Sequence, residues 1–181
     1  MLDKLQNITT FVFDVDGVLT DGNILVNENG EQLRSFNTKD GYALQLAIKK
    51  GYKVCVISGG TSKGVLKRLN GLGITDVFLG IHQKMEVFEQ YKSTHHLQIE
   101  EIIFVGDDIP DLQPMQQAGI AVCPADAVDE IKEVCNYVSP YNGGSGVARD
   151  IIEKVLKIQG KWLDAAPDAT DGGKLIKTKG I

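Results

Sequence analysis

The apolar run Ile8 to Phe13 stops abruptly at Asp14-Val15-Asp16-Gly17-Val18-Leu19-Thr20-Asp21-Gly22, and this junction constrains everything around it. A short run rich in β-branched and aromatic residues reads as a buried strand, and the glycines that follow turn the chain. Asp14 and Asp16 therefore stand at the lip of a core strand. Burying an unpartnered carboxylate costs on the order of several kcal/mol, so paired acids there require a metal, a cation or a difference in protonation.

The pattern recurs along the chain. Lys53 to Ile57 is a core strand that ends at Ser58-Gly59-Gly60, and Glu101 to Val105 is another that ends at Gly106-Asp107-Asp108-Ile109-Pro110-Asp111. Asn23 to Phe36 forms two short extended runs around an Asn/Gly turn, the mark of a β-hairpin. A helix follows, with Asp40 or Thr38 as its cap and Gly51 as its close. The spacing then predicts a helix from Thr61 to Gly71, a strand over Asp76 to Leu79 and an amphipathic helix from His82 to His95. Helix Leu112 to Ala118, strand Ile120 to Cys123, helix Ala127 to Cys135, strand Tyr137-Val138 and helix Val147 to Ile158 complete the alternation.

Such alternation predicts an α/β fold, a Rossmann-like doubly wound parallel sheet with a β-hairpin insertion after the first strand. Open sheets of this kind bind ligands beyond the carboxyl ends of their strands, at the point where the strand order reverses. Asp14, Ser58 and Asp107 each follow a core strand directly and converge if those strands are neighbours. One domain is expected over residues 1–163. Residues 164–181 lack apolar periodicity and are expected to form a flexible tail.

Composition excludes several classes of function. With 181 residues, 43% hydrophobic and 24% charged, the chain suits one soluble domain. A net charge of −5 without a clustered Lys/Arg stripe argues against nucleic acid or an anionic membrane as partner. No apolar run reaches the length of a membrane span and Met1-Leu2-Asp3-Lys4 opens no signal peptide, so a cytoplasmic location is expected. Cys55, Cys123 and Cys135 are odd in number, widely spaced and set in apolar segments, which suits reduced thiols. The adjacent His95 and His96 diverge by about 100° on a helix and do not share a metal face. The glycine-rich segments lack the endings of nucleotide-binding loops.

The strand-end residues suit phosphoryl chemistry. Magnesium takes oxygen ligands and keeps several waters, so it needs few carboxylates; Asp14 and Asp107, with Asp111 as a third candidate, supply them. Ser58, the backbone N–H groups from Gly59 onward and a lysine such as Lys84 would surround the phosphoryl oxygens. Each has a plainer reading: Ser58 as a turn residue, Lys84 as a solvated helix residue, Asp108 and Asp111 as helix caps.

Taken together, these residues resemble the haloacid dehalogenase superfamily of phosphatases. Asp-Val-Asp-Gly-Val-Leu-Thr matches its first motif, Ser58 its second, Lys84 its third and Gly106 to Asp111 its fourth. The resemblance implies Asp14 as the nucleophile that forms an aspartyl-phosphate, and Asp16 as the acid and base, its backbone carbonyl also on Mg2+. The hairpin in place of a large cap domain, Phe36 to Gly41 and Gly143-Gly144-Ser145-Gly146-Val147-Ala148-Arg149 look like the 3-deoxy-D-manno-octulosonate 8-phosphate phosphatases of lipopolysaccharide sugar synthesis. That likeness implies a sugar-acid phosphate substrate and a homotetramer whose hairpins and neighbouring subunits roof the active sites. Gly60 departs from it: octulosonate phosphatases usually carry arginine there, and phosphatases of nine-carbon keto-deoxy sugar acids a glutamate. The terminal Lys177 and Lys179 are candidates for the missing cation. A phosphoacceptor signalling domain would lack Asp16, and a catalytically silent relative would have lost nucleophile, acid or metal ligand; this chain retains all of them.

Overall fold

The computed structural model describes residues 2–163, so the C-terminal stretch 164–181, with the expected tail and its lysines, lies outside the described residues. The chain runs α1 (Leu2–Leu5), β1 (Thr10–Phe13), β2 (Leu25–Val26), β3 (Gln32–Leu33), α2 (Thr38–Lys49), β4 (Lys53–Ser58), α3 (Lys63–Gly71) and β5 (Asp76–Leu79). It continues through α4 (Lys84–Thr94), β6 (Ile102–Val105), α5 (Leu112–Gln117), β7 (Ile120–Cys123), α6 (Asp129–Val134), β8 (Tyr137–Val138) and α7 (Val147–Ile158). Two short 3-10 turns, Ile99–Glu101 and Ile109–Asp111, introduce β6 and α5.

Six strands form one parallel sheet in the order β5-β4-β1-β6-β7-β8. The order reverses beside β1, because the chain first winds outward through β4 and β5 and then returns to place β6 against the other edge of β1. This is the expected doubly wound arrangement. β2 and β3 pair separately as an antiparallel hairpin, Leu25 opposite Leu33.

The period of two along each strand divides the core between two faces. Phe11, Phe13, Val54, Val56, Ile103, Val105, Ile120 and Val122 face one side, where Leu44 and Ala47 of α2 and Ile151, Ile152 and Val155 of α7 cover them. Val12, Cys55, Ile57, Ile102, Phe104, Ala121 and Cys123 face the other, against Phe88 and Tyr91 of α4, Met115 of α5 and Ile131 of α6. Both faces are dry, which is why the strands read as continuous apolar runs.

Two local readings change. α2 is capped by Asn37, whose side chain accepts from Lys39 N at 2.8 Å, rather than by Thr38 or Asp40. Asp40 instead crosses to α7 and accepts from Arg149 N at 2.7 Å, within the first turn of that helix. A helix that opens on Gly146 has no capping side chain of its own, and Asp40 supplies the acceptor from outside. Asp108 does cap, accepting from Ile109 N at 2.8 Å, whereas Asp111 makes no cap bond to α5 because both its oxygens are engaged elsewhere. The three cysteines are free. Among the described residues no helix is long and apolar enough to cross a membrane.

Candidate active site

β1, β4 and β6 are adjacent, so their carboxyl ends bring Asp14, Ser58 and Asp107 onto one wall of a cavity of about 430 Å³. Asp16, Gly59, Lys84 and Asp108 line the same cavity, whereas Asp111 lies beneath it, fully buried. The backbone explains the convergence. Asp14 N donates to Val105 O at 3.0 Å and extends the β1–β6 ladder one residue past the strand, after which Gly17 turns the chain with φ +84°. A Cβ on Gly17 would lie 2.0 Å from Asp107 Oδ2, so only glycine lets the two acidic loops approach this closely.

Lys84, the first residue of α4, is buried and stands 2.7 Å from both Asp14 Oδ2 and Asp111 Oδ1. Burial alone would lower its basicity, but the charges of Asp14 and Asp111 outweigh that and hold the ammonium above its usual range. One cation does not balance this many acids. Burial, followed by repulsion from Asp111, pushes the Asp14 carboxyl up to about 7 despite Lys84. Burial, then Asp14 and Asp111, push Asp107 up to about 8. Asp111 is raised by burial and restrained by Lys84.

The donor set fits a hard divalent cation. Asp14, Asp107 and Asp111 each place a carboxylate oxygen within 4.8 Å of the others, and Asp107 Oδ1 is buried without a hydrogen-bond partner. An orphaned acceptor in an acid-rich pocket is costly unless a cation completes it. Asp111 already gives Oδ1 to Lys84 and accepts from Asp107 N through Oδ2 at 3.2 Å, which suits it to holding the other groups in place.

Ser58, the last residue of β4, is buried and its Oγ accepts from Gly60 N at 3.2 Å. The loop that follows is tied to the end of β5, since Ile81 N donates to Ser58 O at 3.0 Å and Gly80 N to Gly60 O at 2.9 Å. Comparison with known proteins then accounts for the arrangement. Residues 76–151 match the model of the haloacid dehalogenase-like hydrolases. The 3-deoxy-D-manno-octulosonate 8-phosphate phosphatase of Escherichia coli is 36% identical over 92% of this chain and 88% of its own. The chain belongs to the 3-deoxy-D-manno-octulosonate 8-phosphate phosphatase family. It is accordingly a phosphoric monoester hydrolase.

The solved structures agree with that membership in fold. The corresponding phosphatase of Yersinia pestis superposes on this one with a TM-score of 0.87 at 34% identity, covering 89% of this chain and 87% of that one. The Moraxella catarrhalis enzyme, determined with a magnesium ion, a phosphate ion and the sugar acid bound, gives 0.86 at 29% identity over 89% and 92%.

Two contacts of this phosphatase were not anticipated from its sequence. Arg34, just past β3, forks onto Asp16, with Nε 2.6 Å from Oδ1 and Nη2 3.0 Å from Oδ2. The other is made by the Gly143–Gly144 turn, whose glycine-rich composition by itself describes only a loop. A Cβ on Gly143 would lie 2.0 Å from Gly17 O, and Gly144 N donates to Val18 O at 3.0 Å, so the turn buttresses the first acidic loop. Neither has a local sequence signal; 18 residues separate Arg34 from Asp16. His95 and His96 follow the last turn of α4 and do not line this cavity.

Proposed function

We propose that this phosphatase is magnesium-dependent and hydrolyses 3-deoxy-D-manno-octulosonate 8-phosphate to the free sugar acid and phosphate, on the route to the lipopolysaccharide sugar. The observation that carries the chemistry is Asp14 at the tip of β1, with one oxygen on buried Lys84 and the unpartnered Asp107 oxygen beside it. Similarity to the octulosonate phosphatases along most of the chain supports the substrate.

An Asp14 carboxylate oxygen attacks phosphorus, forming the aspartyl-phosphate as the bond from phosphorus to the sugar oxygen breaks. Asp16 gives a proton to the departing alkoxide, then takes one from the water that cleaves the acyl phosphate and returns Asp14. Ser58, the backbone N–H of Gly59 and Lys84 hold the equatorial oxygens. Asp14, Asp107 and the Asp16 backbone carbonyl would hold Mg2+, with Asp111 and Asp108 as supports. The bound ion supplies charge neutralisation for the phosphoryl oxygens and keeps Asp14 ionised. A carboxylate nucleophile splits the reaction into two easier steps, and an acid two residues on serves both.

We further propose a cytoplasmic homotetramer. Among the described residues the hairpin exposes Leu25, Val26 and Leu33 and leaves both its edges unpaired, a surface suited to another copy. Among the described residues no cap domain shields the cavity, and a neighbouring subunit would exclude water from it.

The decisive measurement is phosphate release from a panel of sugar phosphates, including the eight- and nine-carbon keto acids, with and without magnesium. Metal-dependent turnover is expected to be fastest on the eight-carbon acid. Faster turnover of the nine-carbon 9-phosphate would transfer the assignment to that acid, and no metal-dependent release from any substrate would refute the reading. Asp14→Asn is expected to abolish turnover while its melting curve shows a folded protein; full activity in that variant would remove Asp14 from the mechanism.

A further inference from the structure

Arg34 is a buried arginine that the hydrolytic steps do not use, and its surroundings give it a task. Its side chain is 4% exposed, against 31% for its partner Asp16, so the acid faces the cavity and the guanidinium stands behind it. The Nε and Nη2 edge is committed to Asp16, while Nη1 donates to Gln32 O at 3.4 Å. Gly60 leaves room for this. A Cβ there would stand 3.2 Å from Arg34 Nη2 and 3.5 Å from Asp16 Oδ2, crowding the ion pair where it meets the cavity.

The charges around the leaving-group side explain why a cation matters there. Asp16 and Asp108 line the cavity, and Lys84 is already shared between Asp14 and Asp111. The carboxylate of a sugar acid placed beside Asp16 would meet a like charge, and without a cation between them the two repel. Among the described residues, Arg34 is the cation that contacts Asp16. Its planar fork suits a carboxylate in two-point contact.

Resting on the substrate class proposed above, we infer that Arg34 is the specificity-determining residue for the carboxylate of the sugar acid, which replaces Asp16 on its fork when substrate binds. The exchange swaps one carboxylate for another, so the buried guanidinium stays paired throughout. Asp16 is thereby released towards the sugar oxygen. A sugar phosphate without a carboxylate has nothing to offer Arg34 and leaves Asp16 held away from the reaction. Among the described residues, the β2–β3 hairpin that leads into Arg34 pairs with no strand of the main sheet.

The test compares 3-deoxy-D-manno-octulosonate 8-phosphate with arabinose 5-phosphate, which lacks the carboxylate, in the wild type, Arg34→Gln and Arg34→Lys. Arg34→Gln is expected to lose about ten- to hundredfold in kcat/KM on the acid, the range for a hydrogen bond between charged groups, and to gain on arabinose 5-phosphate, because Asp16 is no longer held away from the reaction. Arg34→Lys keeps the charge without the fork and should recover part of the loss. Calorimetric affinity for the free sugar acid should fall in parallel in Arg34→Gln, and thermal melting of each variant checks its fold. Equal losses on both substrates would make Arg34 only a support for Asp16 and overturn the inference. So would a wild-type preference for the acid that survives Arg34→Gln. Absence of that preference in the wild type would instead overturn the substrate reading, and this inference with it.

Discussion

At the scale of single residues, the site is governed by an excess of acid over base in a confined space. Lys84 partners both Asp14 and Asp111 at 2.7 Å, yet Asp14 and Asp107 still hold protons to about 7 and about 8. Both folded-state values lie above the 3.8 of a free aspartate carboxyl. In the unfolded chain these acids ionise near that ordinary value, so between it and about 8 the folded, metal-free protein binds more protons than the unfolded one. Stability from these groups is fully present below the ordinary value and is lost as pH rises through 7 and 8. Metal-free protein should therefore melt at a lower temperature at pH 8 than at pH 5.5, and magnesium should raise the melting temperature more at pH 8, where its ligands are ionised. Differential scanning calorimetry with and without magnesium checks this; a metal shift of equal size at both values would mean that the ion binds elsewhere. Asp14 and Asp107 were legible as candidates because each ends an apolar run at a glycine. Arg34 was not, because nothing in a lone arginine 18 residues from Asp16 shows which way a hairpin folds back.

Among the elements, strands carry the candidate site residues and loops brace them. β1, β4 and β6 aim Asp14, Ser58 and Asp107 at one cavity because parallel neighbours end on the same edge. The Gly143–Gly144 turn fixes the loop after β1 from below: Gly143 N donates to Asp126 Oδ1 at 2.9 Å, and Asn37 Nδ2 donates to Gly144 O at 3.2 Å. A Cβ at Gly143 would meet Gly17 O at 2.0 Å and Thr20 O at 2.9 Å, both backbone atoms that give way only if the loop moves. Gly143→Ala is expected to destabilise the fold by about 1–3 kcal/mol, as overpacking does, and to lower kcat by displacing Asp16. Gly71→Ala, where a Cβ meets nothing within 4 Å, should leave both nearly unchanged. Urea midpoints and steady-state kinetics on the two variants separate these outcomes. The segment reads as a loose loop in the sequence because its four residues contain three glycines; tertiary contact, not composition, orders it. The capping of α7 by Asp40 was hidden for the same reason, since the two lie 109 residues from Arg149 N to Asp40 Oδ1 along the chain.

For the whole molecule, the outstanding feature is an apolar hairpin that pairs with no other strand among the described residues. Leu25 is 67% exposed and Leu33 49%, and they stand opposite one another on the same small sheet. Leu25→Asp combined with Leu33→Asp is expected to reduce the proposed tetramer to smaller species in sedimentation velocity, with a fall in kcat/KM and a melting curve that still reports a folded core. A tetramer unchanged by both substitutions would place the subunit contact elsewhere. By itself the amino-acid sequence determined the alternation of strands and helices, the two-sided burial of the sheet and the acids at its strand ends. These follow from local periodicity and from the glycines that stop each apolar run. The tertiary structure alone decided which charges meet: Lys84 between Asp14 and Asp111, Arg34 on Asp16, and Gly143 beneath Gly17. Those pairings depend on strand order and on close approach across distant segments, which no local pattern of residues encodes.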